Sequence, residues 1–92
     1  MKKISTEEAQ KRLENLEGWQ LDGDDAIQWE HAYEDFDEAM KAINAIAEIA
    51  RELDHHPELS NTYNNVHLRL TTHDAGGLTE NDFTFAEAVN NL

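Results

Sequence analysis

The order of apolar periodicities in this 92-residue chain predicts an α+β fold: a four-stranded antiparallel sheet with helices packed on one face, in the order α-β-β-α-β-β-α. Three observations carry that prediction. One broad apolar stripe at helical spacing runs through the middle of the chain, from Phe36 to Leu53. Segments of alternating polarity flank it, one around Ile27 to Tyr33 and one from Val66 to Leu70. The links between neighbouring strands are too short for the crossovers that parallel pairing needs.

Each element has a local cause. Ser5-Thr6-Glu7-Glu8 reads as a capping box, with Ile4 and Ala9 as a weak hydrophobic staple, and it opens a short helix whose apolar side is Ala9, Leu13 and Leu16. Gly18 supplies its stop. Trp19-Gln20-Leu21 leads into the acidic turn Asp22-Gly23-Asp24-Asp25, beyond which Ile27, Trp29, His31 and Tyr33 alternate with more polar positions, as an antiparallel hairpin requires. Asp35 with Glu38 forms a second capping box, and Phe36, Ala39, Met40, Ile43, Ile46, Ala47, Ala50 and Leu53 line one side of the long helix that follows. Pro57 lacks a backbone donor and biases His56 away from helical dihedrals, so the helix hands over to an extended segment there. Residues 59–63 and 66–72 read as two strands joined at Asn64-Asn65, with one continuous bent strand as the alternative. If the second runs on regularly, His73 shares the face of His67, Arg69 and Thr71, away from Val66, Leu68 and Leu70. Ala75-Gly76-Gly77 breaks the sheet. The last helix then opens with Thr79 as cap, Asp82 at the third position and a Leu78–Phe83 staple; Phe83, Ala86, Val89 and Leu92 are expected to face inward.

Composition narrows the function classes. Residues 1–92 read as a single domain, which at this length buries only about two-thirds of its unfolded surface, so self-association is expected. Twenty acidic residues against seven Lys and Arg give a net charge of −13, which disfavours nucleic acid and anionic membrane surfaces as partners. The acidic residues are scattered, as on a solvated face or in a protein adapted to a saline cytoplasm. With no cysteine there is no disulfide framework and no thiolate chemistry, and the reducing cytoplasm is the expected compartment. No apolar run follows Met1-Lys2-Lys3, so neither a signal peptide nor a membrane span is expected.

Chemistry is concentrated in the histidines. His55 and His56 abut in Asp54-His55-His56-Pro57-Glu58, and His73 follows His56 by seventeen residues in Thr71-Thr72-His73-Asp74. Imidazole titrates near neutral pH, so two of them on separate elements can carry out opposite proton transfers in one cycle. Asp54 and Asp74 adjoin histidines in sequence without being placed to orient them. Asp82 is the better orienting carboxylate if the Gly76-Gly77 turn folds the last helix back across the sheet. A metal site built from His55, His56, His67 and His73 is the competing reading, but the chain has no His-Glu-x-x-His helix and no His-x-His strand, and no metal is expected.

These residues resemble the signature of the pterin-4a-carbinolamine dehydratases. The likeness runs through Gly18-Trp19, Asp25-Ala26-Ile27, Asp54-His55-His56-Pro57-Glu58, Tyr63 six residues past the proline, Thr72-His73 with the histidine sixteen residues past it, Gly77-Leu78 and Asp82, and so covers nearly the whole chain. Two positions depart from it: Arg51 stands where the animal enzymes often carry Glu, and Asn81 where Arg is frequent.

The resemblance implies dehydration of a 4a-hydroxytetrahydropterin, such as 4a-hydroxytetrahydrobiopterin, to quinonoid dihydropterin, with no cofactor. It implies His55 and His73 as the acid–base pair with the direction open, His56 as a substrate-positioning residue and Asp82 as their polar support. Trp19 and Tyr63 are candidate walls for the flat pterin, with ordinary core packing the favoured account of each. It also implies a homodimer or homotetramer. The alternative is a noncatalytic binding, assembly or regulatory module of the same fold; animal members of the family stabilise dimers of a homeodomain transcription factor.

Overall fold

The structure is a computed structural model that describes residues 2–92. Along the chain lie α1 (Thr6–Leu13), β1 (Trp19–Asp22), β2 (Ala26–Ala32), α2 (Phe36–Leu53), β3 (Glu58–Thr62), β4 (Asn65–Leu70) and α3 (Glu80–Asn90), with a 3-10 turn at His73–Ala75. All strand pairs are antiparallel and the sheet order is β1-β2-β4-β3. The predicted α+β class and the α-β-β-α-β-β-α order are those observed.

Strand alternation sorts the sheet into two faces. Ile27 pairs with Leu70 and Trp29 with Leu68; these four are buried with Val66, Trp19, Phe83, Phe85, Ile46 and Leu78 in the core beneath the helices. The intervening pairs, Gln28 with Arg69 and Glu30 with His67, face away from that core. There Arg69 is held by Asp22 and Glu58, each at 2.7 Å, which ties the β1–β2 hairpin to the opposite edge strand across β4. Gly18, at φ 88°, lies so close to Trp29 that a Cβ would stand 3.2 Å from its ring, so the end of the α1–β1 link needs glycine on two counts.

The caps at Ser5 and Asp35 form as the sequence predicts, each side chain accepting from the backbone N–H three residues on. Four details differ. Leu92, expected to face inward, lies past the end of α3 and is 62% exposed. The β3–β4 link is Tyr63-Asn64, because Thr62 already pairs with Asn65, and Tyr63 takes a positive φ of 52°. Strand β4 stops at Leu70, so His73 sits on a turn and strand parity does not govern it. Along α2 only Ala39, Ile46 and Ala50 are fully buried, while Phe36 is 45% exposed. The apolar stripe is wider than the sheet beneath it can cover.

Candidate active site

The register of the last two strands decides which distant residues meet. Glu58 at the start of β3 pairs with Arg69 near the end of β4. Residues just before β3 therefore lie at the same end of the sheet as residues just after β4. A cleft of about 220 Å³ opens there, lined by Asp54, His55, His56, Thr71, Thr72, His73 and Asp74.

His55 enters this cleft through the way α2 ends. Asp54 adopts a left-handed conformation (φ 49°, ψ 47°), and the backbone N–H groups of Asp54 and His55 bond back to the carbonyls of Arg51 and Ala50. This is a Schellman termination with Asp in the position that glycine usually takes. It reverses the chain before Pro57 is reached. The imidazole of His55 is consequently buried, edge-on to Phe85 with ring centroids 6.3 Å apart.

Its polar partner comes from the far end of the chain. His55 Nε2 lies 2.5 Å from Oδ1 of Asp82 in the first turn of α3. Asp82 is wholly buried and Oδ2 accepts two further bonds, from Thr72 Oγ1 at 2.8 Å and from the backbone N–H of Thr79 at 2.9 Å. The last is one arm of the predicted Thr79–Asp82 capping box. Helix capping and histidine orientation thus use the same carboxylate. An ionised carboxylate can only accept, so toward it Nε2 of His55 is the donor, and Nδ1 is the ring nitrogen outside this bond.

His73 opens the 3-10 turn and is exposed. Its backbone is fixed by reciprocal bonds between Thr72 and Gly77, and the turn closes through Gly76 N–H to His73 O at 3.0 Å, with Gly76 at φ 72°. His56 is exposed on the other wall. The structure therefore brings His55, His56 and His73 to one cleft and places Asp82 behind His55 rather than behind His73.

Trp19 and Tyr63 are not brought there. Trp19 packs in the core against Trp29, its Nε1 donating to Asn90 Oδ1 at 3.0 Å. Tyr63 sits 64% exposed on the β3–β4 turn, the other end of β3 from the cleft. Core packing accounts for the first, and the two-residue hairpin turn for the second. His67 also stays apart, bonded to Gln28 on the outer sheet face. Arg51 pairs with Glu48 and is exposed. Sequence reasoning missed the Thr72 hydroxyl as a partner of Asp82; Thr72 preceding His73 drew notice only as part of the spacing.

An antiparallel four-stranded sheet beneath helices, with an imidazole-rich, carboxylate-backed cleft at one end, defines a class of small α+β domain. Residues 2–92 match the family described as pterin 4 alpha carbinolamine dehydratase, and the chain belongs to that family. A relative from Thermomicrobium roseum, provisionally named a pterin-4-alpha-carbinolamine dehydratase, is 44% identical over 80 residues, covering 87% of this chain and 85% of its own. One from Aquifex aeolicus under the same provisional name is 40% identical over 92 residues, covering 100% of this chain and 92% of its own. A crystal structure of a transcriptional coactivator/pterin dehydratase from Brucella melitensis superposes with a TM-score of 0.92 at 38% identity, covering 97% of this chain and 96% of that one.

Proposed function

We propose that this protein dehydrates a 4a-hydroxytetrahydropterin to quinonoid dihydropterin and water. The observation that carries the reading is the buried His55–Asp82 pair opening onto a cleft shared with His56 and His73. The reaction breaks the C4a–O bond and removes the proton from N5; the electron pair of that N–H bond becomes the C4a=N5 double bond, and the hydroxyl leaves as water once protonated. It therefore needs one base and one acid on the same substrate.

His55 suits the base. Its bare Nδ1 is the nitrogen left to take a proton, and the carboxylate on Nε2 compensates the charge the ring then acquires. His73, exposed at the opposite wall, is assigned as the acid that protonates the leaving hydroxyl, and His56 as the group that holds the pterin between them. No helix among the described residues is long and apolar enough to cross a membrane.

Self-association belongs to the same reading. Edge strand β3 carries Leu59, 39% exposed, beside a groove of about 360 Å³ whose walls include Ile43, Ala47 and Pro57. An uncovered apolar edge on so small a domain favours pairing with a second copy. Leu59→Lys should lower the sedimentation mass of the parent; an unchanged mass would place the contact elsewhere.

The deciding experiment is stopped-flow absorbance of chemically generated 4a-hydroxytetrahydropterin. Decay is compared in buffer, in the presence of the parent protein and in the presence of folded His73→Ala. Acceleration by the parent that the variant loses is the expected result. A folded parent no faster than buffer overturns the dehydratase reading and leaves the binding-module alternative.

A further inference from the structure

We infer that Thr72 and Thr79 are positioning residues of the cleft, a hydroxyl relay that holds the Asp82 carboxylate in place and ties the His73 turn to the group that holds His55. The inference rests on the dehydratase reading only for its kinetic consequence.

The geometry allows one arrangement of protons. Thr72 Oγ1 lies 2.8 Å from Asp82 Oδ2 and 2.8 Å from Thr79 Oγ1. Thr72 Oγ1 donates to Asp82 Oδ2. A hydroxyl has a single proton, so Thr72 must then accept from Thr79. The chain runs Thr79 to Thr72 to Asp82, with His55 donating to the same carboxylate from the other side. Thr79 is wholly buried, and a hydroxyl there without a partner would be costly. Both donors on Oδ2, the Thr72 hydroxyl and the Thr79 amide, leave Oδ1 to His55 alone.

The same bonds also fix distance. Thr72 is the residue before His73, so its hydroxyl anchors the His73 turn to the first turn of α3. His55 is anchored to the identical carboxylate. The two imidazoles assigned to opposite proton transfers are thus referenced to one buried group, although they come from elements separated by the whole of β3 and β4. Loss of the Thr72 hydroxyl unties the His73 turn from Asp82, and loss of the Thr79 hydroxyl leaves Thr72 without its donor.

Thr72→Val and Thr79→Val keep shape and remove the hydroxyl; Thr72→Ser and Thr79→Ser put it back. Proton–nitrogen NMR of the His55 and His73 rings on the unliganded protein reports the tie between the two walls without turnover. The valine variants should shift the ring signals of both histidines, with kcat reduced roughly 10-fold or more and KM little changed, as for loss of one charge-assisted hydrogen bond, and serine should restore both. Folded valine variants that keep the parent spectra and rate overturn the relay. If the parent does not turn over pterin, the spectral comparison still decides the relay while the dehydratase reading fails on its own. If neither valine variant folds, the parent suffices: a Thr79 hydroxyl proton protected from exchange is the expected signal, and its rapid exchange overturns the assignment.

Discussion

Replacing Asp82 by Asn tests the carboxylate at the centre of the cleft with almost no change of shape. Asp82 accepts three hydrogen bonds in the native protein, one from His55 on Oδ1 and two from Thr72 and Thr79 on Oδ2. An amide offers one oxygen and one NH₂. The oxygen is better used toward the two donors of the Thr72–Thr79 side, which leaves the NH₂ against His55 Nε2. That nitrogen must then become an acceptor, and the proton moves to Nδ1, the atom assigned to take the substrate proton. The variant should fold, retain the α3 cap and lose its base.

The magnitudes separate the two effects. Exchange of one charge-assisted bond at a buried site for a neutral one costs about 1–3 kcal/mol of stability, a loss that equilibrium denaturation measures directly. Acid–base catalysis by a correctly protonated group contributes about 10²–10⁴-fold, so stopped-flow turnover should fall by two orders of magnitude or more, toward the uncatalysed decay. NMR of the His55 ring should show the reversed tautomer. A folded Asp82→Asn protein that turns over within about threefold of the parent, a change of only ~0.7 kcal/mol in barrier, would refute the claim that the carboxylate sets the protonation of His55.

Three further outcomes follow from the fold. Tyr63→Gly should raise stability by about 1 kcal/mol in urea denaturation, because it relieves a positive φ at a hairpin turn and removes a side chain that is 64% exposed; a folded variant that loses turnover would restore Tyr63 as a pterin wall. Arg69→Met should cost about 1 kcal/mol by releasing Asp22 and Glu58, and the difference from the parent should shrink in high salt; a difference independent of salt would mean that packing rather than charge was lost. Burial raises the Tyr33 hydroxyl above its ordinary value of 10.0, so the folded protein holds this proton where the unfolded chain releases it. The resulting contribution is present below the unfolded value and is lost as pH rises through the folded one. In a Tyr63→Phe background, phenolate absorbance should therefore appear later in the folded protein than in denaturant, and coincident titrations would contradict the burial argument.

How far the site could be read from the sequence follows the range of the interactions that build it. The caps at Ser5, Asp35 and Thr79 span three residues each and were legible, as was the end of α2 near His55. The pairing of Asp82 with His55 rather than His73 was not, because it joins residues 27 apart through the β3–β4 register, a tertiary result that no local pattern encodes. The left-handed Asp54 was also hidden, since Asp in that position carries no signal comparable to glycine. Trp19 was legible as a core residue: both indoles fill the core, and Gly18 lets Trp29 pack close. Periodicity on α2 identified apolar side chains but not how many would be covered, because coverage depends on how far the sheet extends beneath the helix. The residues that remained unread are those whose neighbours are chosen by the sheet, and the Thr72 hydroxyl is the one with the most chemistry attached. It faces Asp82 only because β4 ends two residues earlier and the Thr72–Gly77 bridge turns the chain back toward α3.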